Sequence, residues 1–346
     1  MGKFPGMVET ARPGRRNLIT DVPGLLVGEA EDARVATGVT VVLCEQPAVC
    51  AVEVRGGGPG TRETDLLSPE NMVETVDAIT LSGGSVYGLA AADGVVAWLG
   101  EQGRGFRLRD LGLTAPIVPG AILFDLANGG DKAWGREPPY HRLGIEAVEA
   151  AGLEFHLGAH GAGLGAMAGA FQGGIGSASI VTADGVTVGA LAAVNSFGSV
   201  VGADGRFFAG ACEMDGEFGG LGPSTARVEP DHWPFAKFDP QPRTNTTIAV
   251  VATDVALTPA EAKRVAMMAD DGLARSIRPI HAPFDGDVVF ALSTGRMPLA
   301  EPTQLTLARI GALAADTLAR AVARAVFEAK ASPGGAPVWR DQGFPR

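Results

Sequence analysis

Cysteine, aromatic residues and lysine are all scarce in this chain of 346 residues. The three cysteines, Cys44, Cys50 and Cys212, are odd in number and lack CxxC spacing, so neither a disulfide framework nor a zinc knuckle is expected. Only 6% of the residues are aromatic whereas 46% are hydrophobic, so the core must consist mainly of Ala, Val, Leu and Ile. Apolar runs of about 18 residues, the length that a membrane-spanning helix needs, are also missing.

Positive charge is in deficit: 28 Lys and Arg stand against 39 Asp and Glu, for a net charge of −11. A surface of this sign argues against nucleic-acid binding and against docking on anionic lipid. The sequence that begins at Met1 is polar and lacks the apolar segment of a signal peptide. We therefore expect a soluble cytoplasmic protein whose partner is neither nucleic acid nor membrane.

Motifs of common nucleotide, hydrolase and metal sites are missing as well. Neither GxxxxGK[ST] nor a GxGxxG between a strand and a helix occurs, so the glycine-rich stretches are interpreted as tight turns and close packing. No GxSxG nucleophile elbow is present, and the five histidines lack HExxH spacing. The sequence predicts no metal and no cofactor.

Short strand patterns alternate with amphipathic helical patterns, which predicts an α/β protein with helices outside its sheets. Residues 1–346 are interpreted as one domain with an N-terminal arm (1–20) and a C-terminal tail (331–346). Ser85 is the expected N-cap of a helix that ends near Gly100. The other predicted elements are a hairpin (38–45 and 49–54), a strand (78–81), a meander (175–183, 186–195 and 198–202), strands at 246–254 and 288–292, and helices at 136–151, 258–276 and 303–329.

An abrupt junction lies at Asn245 and Thr246. Residues 203–244 are polar, rich in Pro and Gly and without period, and a segment this long is usually functional or disordered. A β-branched apolar strand starts immediately after it, at Thr246. We hypothesise that the protein cuts its own chain here, which would make Thr246 both a new N-terminus and a nucleophile.

Two further places carry polar side chains at the ends of predicted strands. Asn195 ends an apolar run, where its amide can donate to a developing oxyanion, although a turn-forming Asn is the simpler interpretation. Asp285 and Asp287 precede a strand and, as alternate residues, would point the same way about 7 Å apart. Such a pair can hold an ammonium group, orient a nucleophile or bind a metal, and it can also be a solvated turn.

An ordered set of motifs over residues 20–330 resembles the DmpA-type aminopeptidases, also called L-aminopeptidase/D-esterases. That family includes β-peptidyl aminopeptidases and the endo-type 6-aminohexanoate oligomer hydrolase. The matching segments are 57–67 (GGPGTRETDLL), 81–89 (LSGGSVYGL), 92–95 (ADGV), 116–119 (PIVP), 123–125 (LFD), 161–163 (GAG), 173–178 (GGIGSA), 194–195 (VN), 245–248 (NTTI) and 285–287 (DGD).

This resemblance implies a four-layer α/β/β/α sandwich, like that of N-terminal nucleophile (Ntn) hydrolases, and self-cleavage of the Asn245–Thr246 bond. The fragments 1–245 and 246–346 would stay associated, and the family expectation is a homotetramer of such pairs. Thr246 would attack substrate amides, with Asn195 as the oxyanion donor and Asp285 and Asp287 as orienting carboxylates. The expected substrate pocket includes Ser85, Tyr87 and Phe124.

The substrate remains open among D- or L-aminoacyl amides, β-peptides and aminohexanoate oligomers. The Asp-Gly-Asp motif at 285–287 and the threonine at 246 both match the 6-aminohexanoate (nylon) oligomer hydrolase. One position departs from that enzyme, which has a lysine shortly after the Gly-Ala-Gly segment, where this chain has Ala170 with Gln172 nearby. The alternatives are an unprocessed, non-catalytic binding or assembly protein on the same fold, or an acyltransferase.

Overall fold

The computed structural model describes residues 11–109, 111–237, 245–333 and 335–344. Four α-helices form from these residues: α1 Ala91–Glu101, α2 Tyr140–Glu149, α3 Pro259–Ser276 and α4 Thr303–Phe327. The strands are β1 Leu25–Asp32, β2 Thr37–Val54, β3 Thr61–Arg62, β4 Thr75–Ser82, β5 Phe106–Leu108, β6 Leu113–Ala115, β7 Gly120–Ile122, β8 Met167–Ala168, β9 Phe171–Gln172, β10 Gly174–Val181, β11 Thr187–Asn195, β12 Thr246–Val255 and β13 Val288–Met297.

The main sheet runs in the order β10-β11-β12-β13-β2-β4-β7-β3, and β1 pairs with β2 beside that path. The long strand β2 belongs to both halves of the sheet. Its N-terminal part pairs with β1 and β4, whereas its C-terminal part pairs with β13. The two halves pack face to face through a core that includes Val42, Ile79, Val250 and Phe290.

Helices cover both outer faces, so the expected four-layer α/β/β/α arrangement is confirmed. Helices α3 and α4 pack on β10 to β13 through a core rich in alanine and valine, and α1 and α2 pack on β2 and β4. Helix α3 begins as predicted, because Thr258 and Glu261 form a capping box and Pro259 occupies the first turn. None of the helices in the described part of the chain is long and apolar enough to cross a membrane.

The strand directions decide where the functional residues meet. Strand β12 pairs antiparallel with β11 and parallel with β13, to which it is connected through α3. The C-terminal end of β11 and the N-terminal ends of β12 and β13 therefore lie at the same edge of the sheet. Asn195, Thr246 and the Asp-Gly-Asp segment come from these three ends.

Several local predictions need correction. The predicted hairpin around Gln46 and Pro47 is one continuous strand, β2, in which the register against β4 shifts between Leu43 and Ala48. Proline is tolerated at such an irregularity because no ladder hydrogen bond is required of its nitrogen. Ser85 is not a helix N-cap: it has a φ of 52° and starts a 3-10 turn, Ser85–Ala90, that precedes α1.

The third strand of the predicted meander, 198–202, forms only isolated bridges, to Arg278 and Phe207. The described part of the predicted arm is packed, since Ile19 is fully buried and its N–H donates to Ser177. Trp339, from the predicted tail, is buried in the core beside α4. Residues 1–10 and 238–244 lie outside the described residues.

Candidate active site

The Asn245–Thr246 peptide bond lies at the meeting point of the three strand ends. Asn195 pairs with Thr246 across β11 and β12, and Asn245 forms a parallel bridge with Asp285. Thr246 is 4% exposed, and Asn245, Asp285 and Asp287 are fully buried. The structure thus brings together Thr246, Asn195 and both aspartates in a buried site.

Two donors act on the carbonyl oxygen of Asn245. The hydroxyl of Thr246 donates a hydrogen bond to it, and the N–H of Gly286 donates another at 2.9 Å. Gly286 can approach this closely because it has no side chain, since a Cβ there would lie 2.8 Å from Oγ1 of Thr246. A backbone N–H in this position can stabilise negative charge that develops on the carbonyl oxygen.

Asp287 fixes the start of β12 and holds a histidine. Its Oδ1 accepts the N–H of Thr247 at 2.7 Å, and its Oδ2 lies 2.9 Å from Nδ1 of His281. The opposite ring nitrogen of His281 lies 3.0 Å from a carboxylate oxygen of Asp270. Although burial opposes protonation, these two carboxylates raise the pKa of His281 to about 9. No sequence motif marks this Asp287–His281–Asp270 arrangement.

Asp285 lies in a different environment from Asp287. Its Oδ2 accepts the N–H of Ala282 at 3.0 Å. Burial and the negative charge of Asp287 raise the pKa of Asp285 to about 7, against the opposing positive charges of Lys237 and His281. The two aspartates therefore differ in environment: Asp287 accepts a backbone donor and contacts a histidine, whereas Asp285 is the carboxylate whose pKa is raised.

Asn195 is held on both sides of its amide group. Its Oδ1 accepts the N–H of Met167 at 2.9 Å, and its Nδ2 donates to the carbonyl of Phe124 at 3.0 Å. Asp125 in turn anchors this segment, because its carboxylate accepts the Thr37 hydroxyl and the N–H of Gly84. The amide is thus fixed beside Thr246 with its NH₂ group oriented by a backbone acceptor.

A lysine that the sequence motifs do not identify also reaches the site. The ammonium of Lys237 lies 3.1 Å from the main-chain oxygen of Asn195 and 3.3 Å from its Oδ1. Lys237 is nine residues before Thr246, in the irregular segment. The scarcity of lysine in the chain is the one signal that could have singled it out.

The three expected substrate-pocket residues are not equally close to the junction. The carbonyl of Phe124 binds Asn195, and the N–H of Ser85 donates to Leu123, the residue before Phe124. Tyr87 is 46% exposed, and its ring contacts Trp134 edge to face. The structure brings Ser85 and Phe124 toward the site and leaves Tyr87 on the surface next to Trp134.

Aromatic side chains lie next to the site residues in the chain and contact one another, and one of them comes from the irregular segment 203–244. Phe197, two residues after Asn195, packs edge to face against Phe284, the residue before Asp285. Trp233 continues this group through an edge-to-face contact with Phe197. An apolar wall of this kind suits the carbon chain of a substrate. Among the described residues, no group of three or more His, Cys, Asp or Glu side chains is arranged to hold a metal ion.

Comparison with known proteins gives close relatives over almost the whole chain. The model of peptidase family S58 matches residues 17–337. An uncharacterized aminopeptidase of Mycobacterium bovis is 47% identical over 351 residues, which cover 95% of this chain and 98% of that protein. A 6-aminohexanoate-oligomer endohydrolase of Kocuria sp. is 30% identical over 303 residues, covering 85% of this chain and 79% of that enzyme.

A solved structure shares the fold. The L-aminopeptidase D-Ala-esterase/amidase of Ochrobactrum anthropi, described as a variant of the Ntn hydrolase fold, matches with a TM-score of 0.67. The match covers 94% of this chain and 90% of that one at 20% identity. The predicted Ntn-hydrolase-like fold is therefore confirmed.

Proposed function

Since this chain belongs to peptidase family S58 and is a hydrolase of amide or peptide bonds, we propose that it cuts its own Asn245–Thr246 bond and then uses Thr246 as an N-terminal nucleophile. The observation that carries this proposal is the pair of donors on the Asn245 carbonyl, one of which is the hydroxyl of Thr246 itself. The nucleophile is therefore in contact with the carbonyl group that it would attack.

Self-cleavage proceeds by an N-to-O acyl shift. Oγ1 of Thr246 attacks the carbonyl carbon of Asn245 and gives up its proton, while the N–H of Gly286 stabilises the oxyanion. The C–N bond then breaks as the nitrogen takes up a proton, leaving an ester between Asn245 and Thr246. One water molecule hydrolyses this ester to a carboxylate on Asn245 and a free α-amine on Thr246.

Turnover uses the same groups on an external amide. The α-amine of Thr246 has an ordinary pKa of about 7.7 to 8.0, so it can accept the hydroxyl proton near neutral pH. Departure of the Asn245 carboxylate opens the position in which a substrate carbonyl would meet the N–H of Gly286. We assign the second oxyanion donor to the amide of Asn195, which is fixed beside Thr246. The fragments 1–245 and 246–346 stay associated because β12 lies between β11 and β13.

The substrate class is an amide whose acyl part carries an amino group. The site is acidic, with Asp285 and Asp287 buried beside Thr246, and a carboxylate is the natural partner of a substrate ammonium. The wall of Phe197, Phe284 and Trp233 suits an extended carbon chain. Aminoacyl amides and ω-amino-acid oligomers, including 6-aminohexanoate oligomers, both combine these features.

Mass spectrometry under denaturing conditions, followed by a substrate panel, tests the proposal. We expect two fragments that separate before Thr246, and hydrolysis of at least one amide with a free amino group by the processed protein. The panel compares L- and D-aminoacyl amides, β-peptides and 6-aminohexanoate oligomers with N-acetylated forms of each. An intact chain that hydrolyses these amides would contradict the nucleophile assignment. An intact chain without activity would instead favour a binding or assembly protein.

A further inference from the structure

Lys237 is anchored so that its side chain reaches the strand ends. Its N–H donates to the carbonyl of Phe197 at 3.1 Å, and its ammonium donates to the main-chain and side-chain oxygens of Asn195. The turn between β8 and β9 also binds the segment that contains Lys237, because Ala170 donates its N–H to the carbonyl of Phe235 at 2.8 Å. Backbone contacts at Lys237 and at Phe235 therefore hold the residue from which the side chain reaches Asn195.

The amino group of Lys237 interacts with a neighbour of each residue of the Asn245–Thr246 bond. On one side it contacts Asn195, the residue paired with Thr246. On the other side its charge interacts with Asp285, the residue bridged to Asn245. Strand β12 lies between the strand ends that carry these two partners, which places a group that interacts with both near the N-terminal end of β12.

The contacts of the amino group leave room for a proton acceptor. An amine without charge keeps two N–H donors and one lone pair. The two N–H groups of a neutral Lys237 match the two oxygens of Asn195 to which Nζ is hydrogen-bonded. The remaining lone pair is then available to a hydroxyl proton from the neighbouring strand.

We propose that Lys237 is the base that takes the proton from Thr246 when the chain cuts itself. The inference rests on the proposed function and assigns a group to the step that precedes the free α-amine, because before cleavage the nitrogen of Thr246 is an amide and cannot act as base. It also bears on Ala170, the position where the related hydrolase has a lysine. In this chain the β8–β9 turn has no lysine, but Ala170 binds Phe235, two residues before Lys237.

Lys237 accepts and then returns one proton in each stage of the reaction. The proton of Thr246 Oγ1 moves to Nζ of Lys237 as the oxygen attacks the Asn245 carbonyl carbon. Lys237 then returns that proton to the Thr246 nitrogen as the C–N bond breaks. In ester hydrolysis Lys237 removes a proton from the attacking water, and the proton passes to the departing Thr246 oxygen.

The electrostatic environment supports this role. Burial lowers the pKa of Lys237 to about 7, against the opposing attraction of Asp285. Among the described residues, the titratable groups that face it are Asp285 and, behind that residue, Asp287 and His281. A lysine with a pKa near neutrality has a large unprotonated fraction near pH 7, so it can accept a proton there.

The test follows precursor conversion against time from pH 6 to pH 9 in three variants. Lys237→Met removes the amine and keeps the length of the side chain, and Lys237→Arg keeps a positive donor for Asn195 but has no base. Lys263→Met is the matched control, because that lysine is also partly buried and binds Val52 and Glu53 on the helical side of the sheet. Circular dichroism of each precursor reports folding.

We expect Lys237→Met and Lys237→Arg to process about 100-fold more slowly than the parent, and Lys263→Met to process at the parent rate. The parent rate should rise with pH through about 7, and this rise should disappear in both Lys237 variants. Full rescue by Lys237→Arg, or an unchanged rate in folded Lys237→Met, would overturn the base assignment while leaving self-cleavage intact. A parent chain that stays uncut overturns self-cleavage itself, which separates the two failures.

Discussion

The N–H of Gly286 donates to the carbonyl oxygen of Asn245 at 2.9 Å, although the two residues are 41 positions apart in the chain. The parallel pairing of β12 and β13 produces this contact, because it sets the residues that precede the two strands side by side. The bond polarises the one peptide carbonyl that Thr246 would attack. A buried carbonyl needs a donor in any fold, and this donor also lies where negative charge would develop on the oxygen in an acyl transfer.

Gly286→Ala should slow self-cleavage strongly. The new methyl group would lie 2.8 Å from Oγ1 of Thr246 and 3.1 Å from the carbonyl oxygen of Gly58, so the hydroxyl or the strand must move. Displacement of a reacting atom by about 1 Å costs on the order of 100-fold in rate. Gly100→Ala, in α1, is the control, since nothing lies within 4 Å of its added methyl. Equal rates of fragment formation in the two variants would contradict a close fit at Gly286.

Thr246→Val should leave one full-length, inactive chain, because valine keeps the shape of threonine and lacks the nucleophile. Thr247→Val is its matched neighbour: Thr247 is fully buried, and its Oγ1 has no hydrogen-bond partner among the described residues. We expect Thr247→Val to process normally and Thr246→Ser to process as well. Intact mass measurement distinguishes the variants, and cleavage of Thr246→Val would remove the hydroxyl from the mechanism.

Asn195→Ala should lower turnover by about 100- to 1,000-fold, the usual loss of one oxyanion donor. The substitution also frees the N–H of Met167, so thermal unfolding must be measured beside kcat. Asn195→Asp keeps the acceptor for Met167 and removes the NH₂ donor, which separates positioning from oxyanion stabilisation. Activity in Asn195→Asp close to that of the parent would show that the NH₂ group is dispensable.

The sequence placed Asn195, Thr246 and the two aspartates at strand ends because strand ends are local features. A polar residue after an apolar run marked Asn195, and a β-branched run after an irregular segment marked Thr246. What the sequence could not supply was the direction of the strands. That three strand ends meet at one edge depends on the antiparallel and parallel pairings of β12, which no local pattern encodes.

Long-range contacts account for the features that were missed. Lys237 lies in a segment without period, and its position depends on long-range backbone contacts: Phe197 binds the N–H of Lys237, and Ala170 binds the carbonyl of Phe235. No local motif marks His281, since its partners Asp270 and Asp287 come from α3 and from the residue before β13. Gln46 and Pro47 resembled a turn, but pairing on both sides of β2 makes the strand continuous there.

The Asp287–His281–Asp270 arrangement should make stability depend on pH in the alkaline range. Against the cost of burial, the carboxylates of Asp270 and Asp287 raise the pKa of His281 from 6.5 to about 9. A histidine whose pKa is higher in the folded state stabilises that state fully below pH 6.5, and this contribution is lost as the pH rises through about 9. The loss should amount to on the order of 3 kcal/mol in the free energy of unfolding.

Denaturant unfolding of the uncut Thr246→Val chain between pH 6 and pH 10 measures this dependence on a single polypeptide. His281→Gln in the same background should be less stable at pH 6 but should lose less stability on going to pH 10, because it has no proton to release. His156→Gln is the control, since that side chain is 78% exposed. Parallel curves for the parent and His281→Gln would show that His281 is not held protonated between the two aspartates, and Asp287 would then orient Thr247 without the help of a charged histidine.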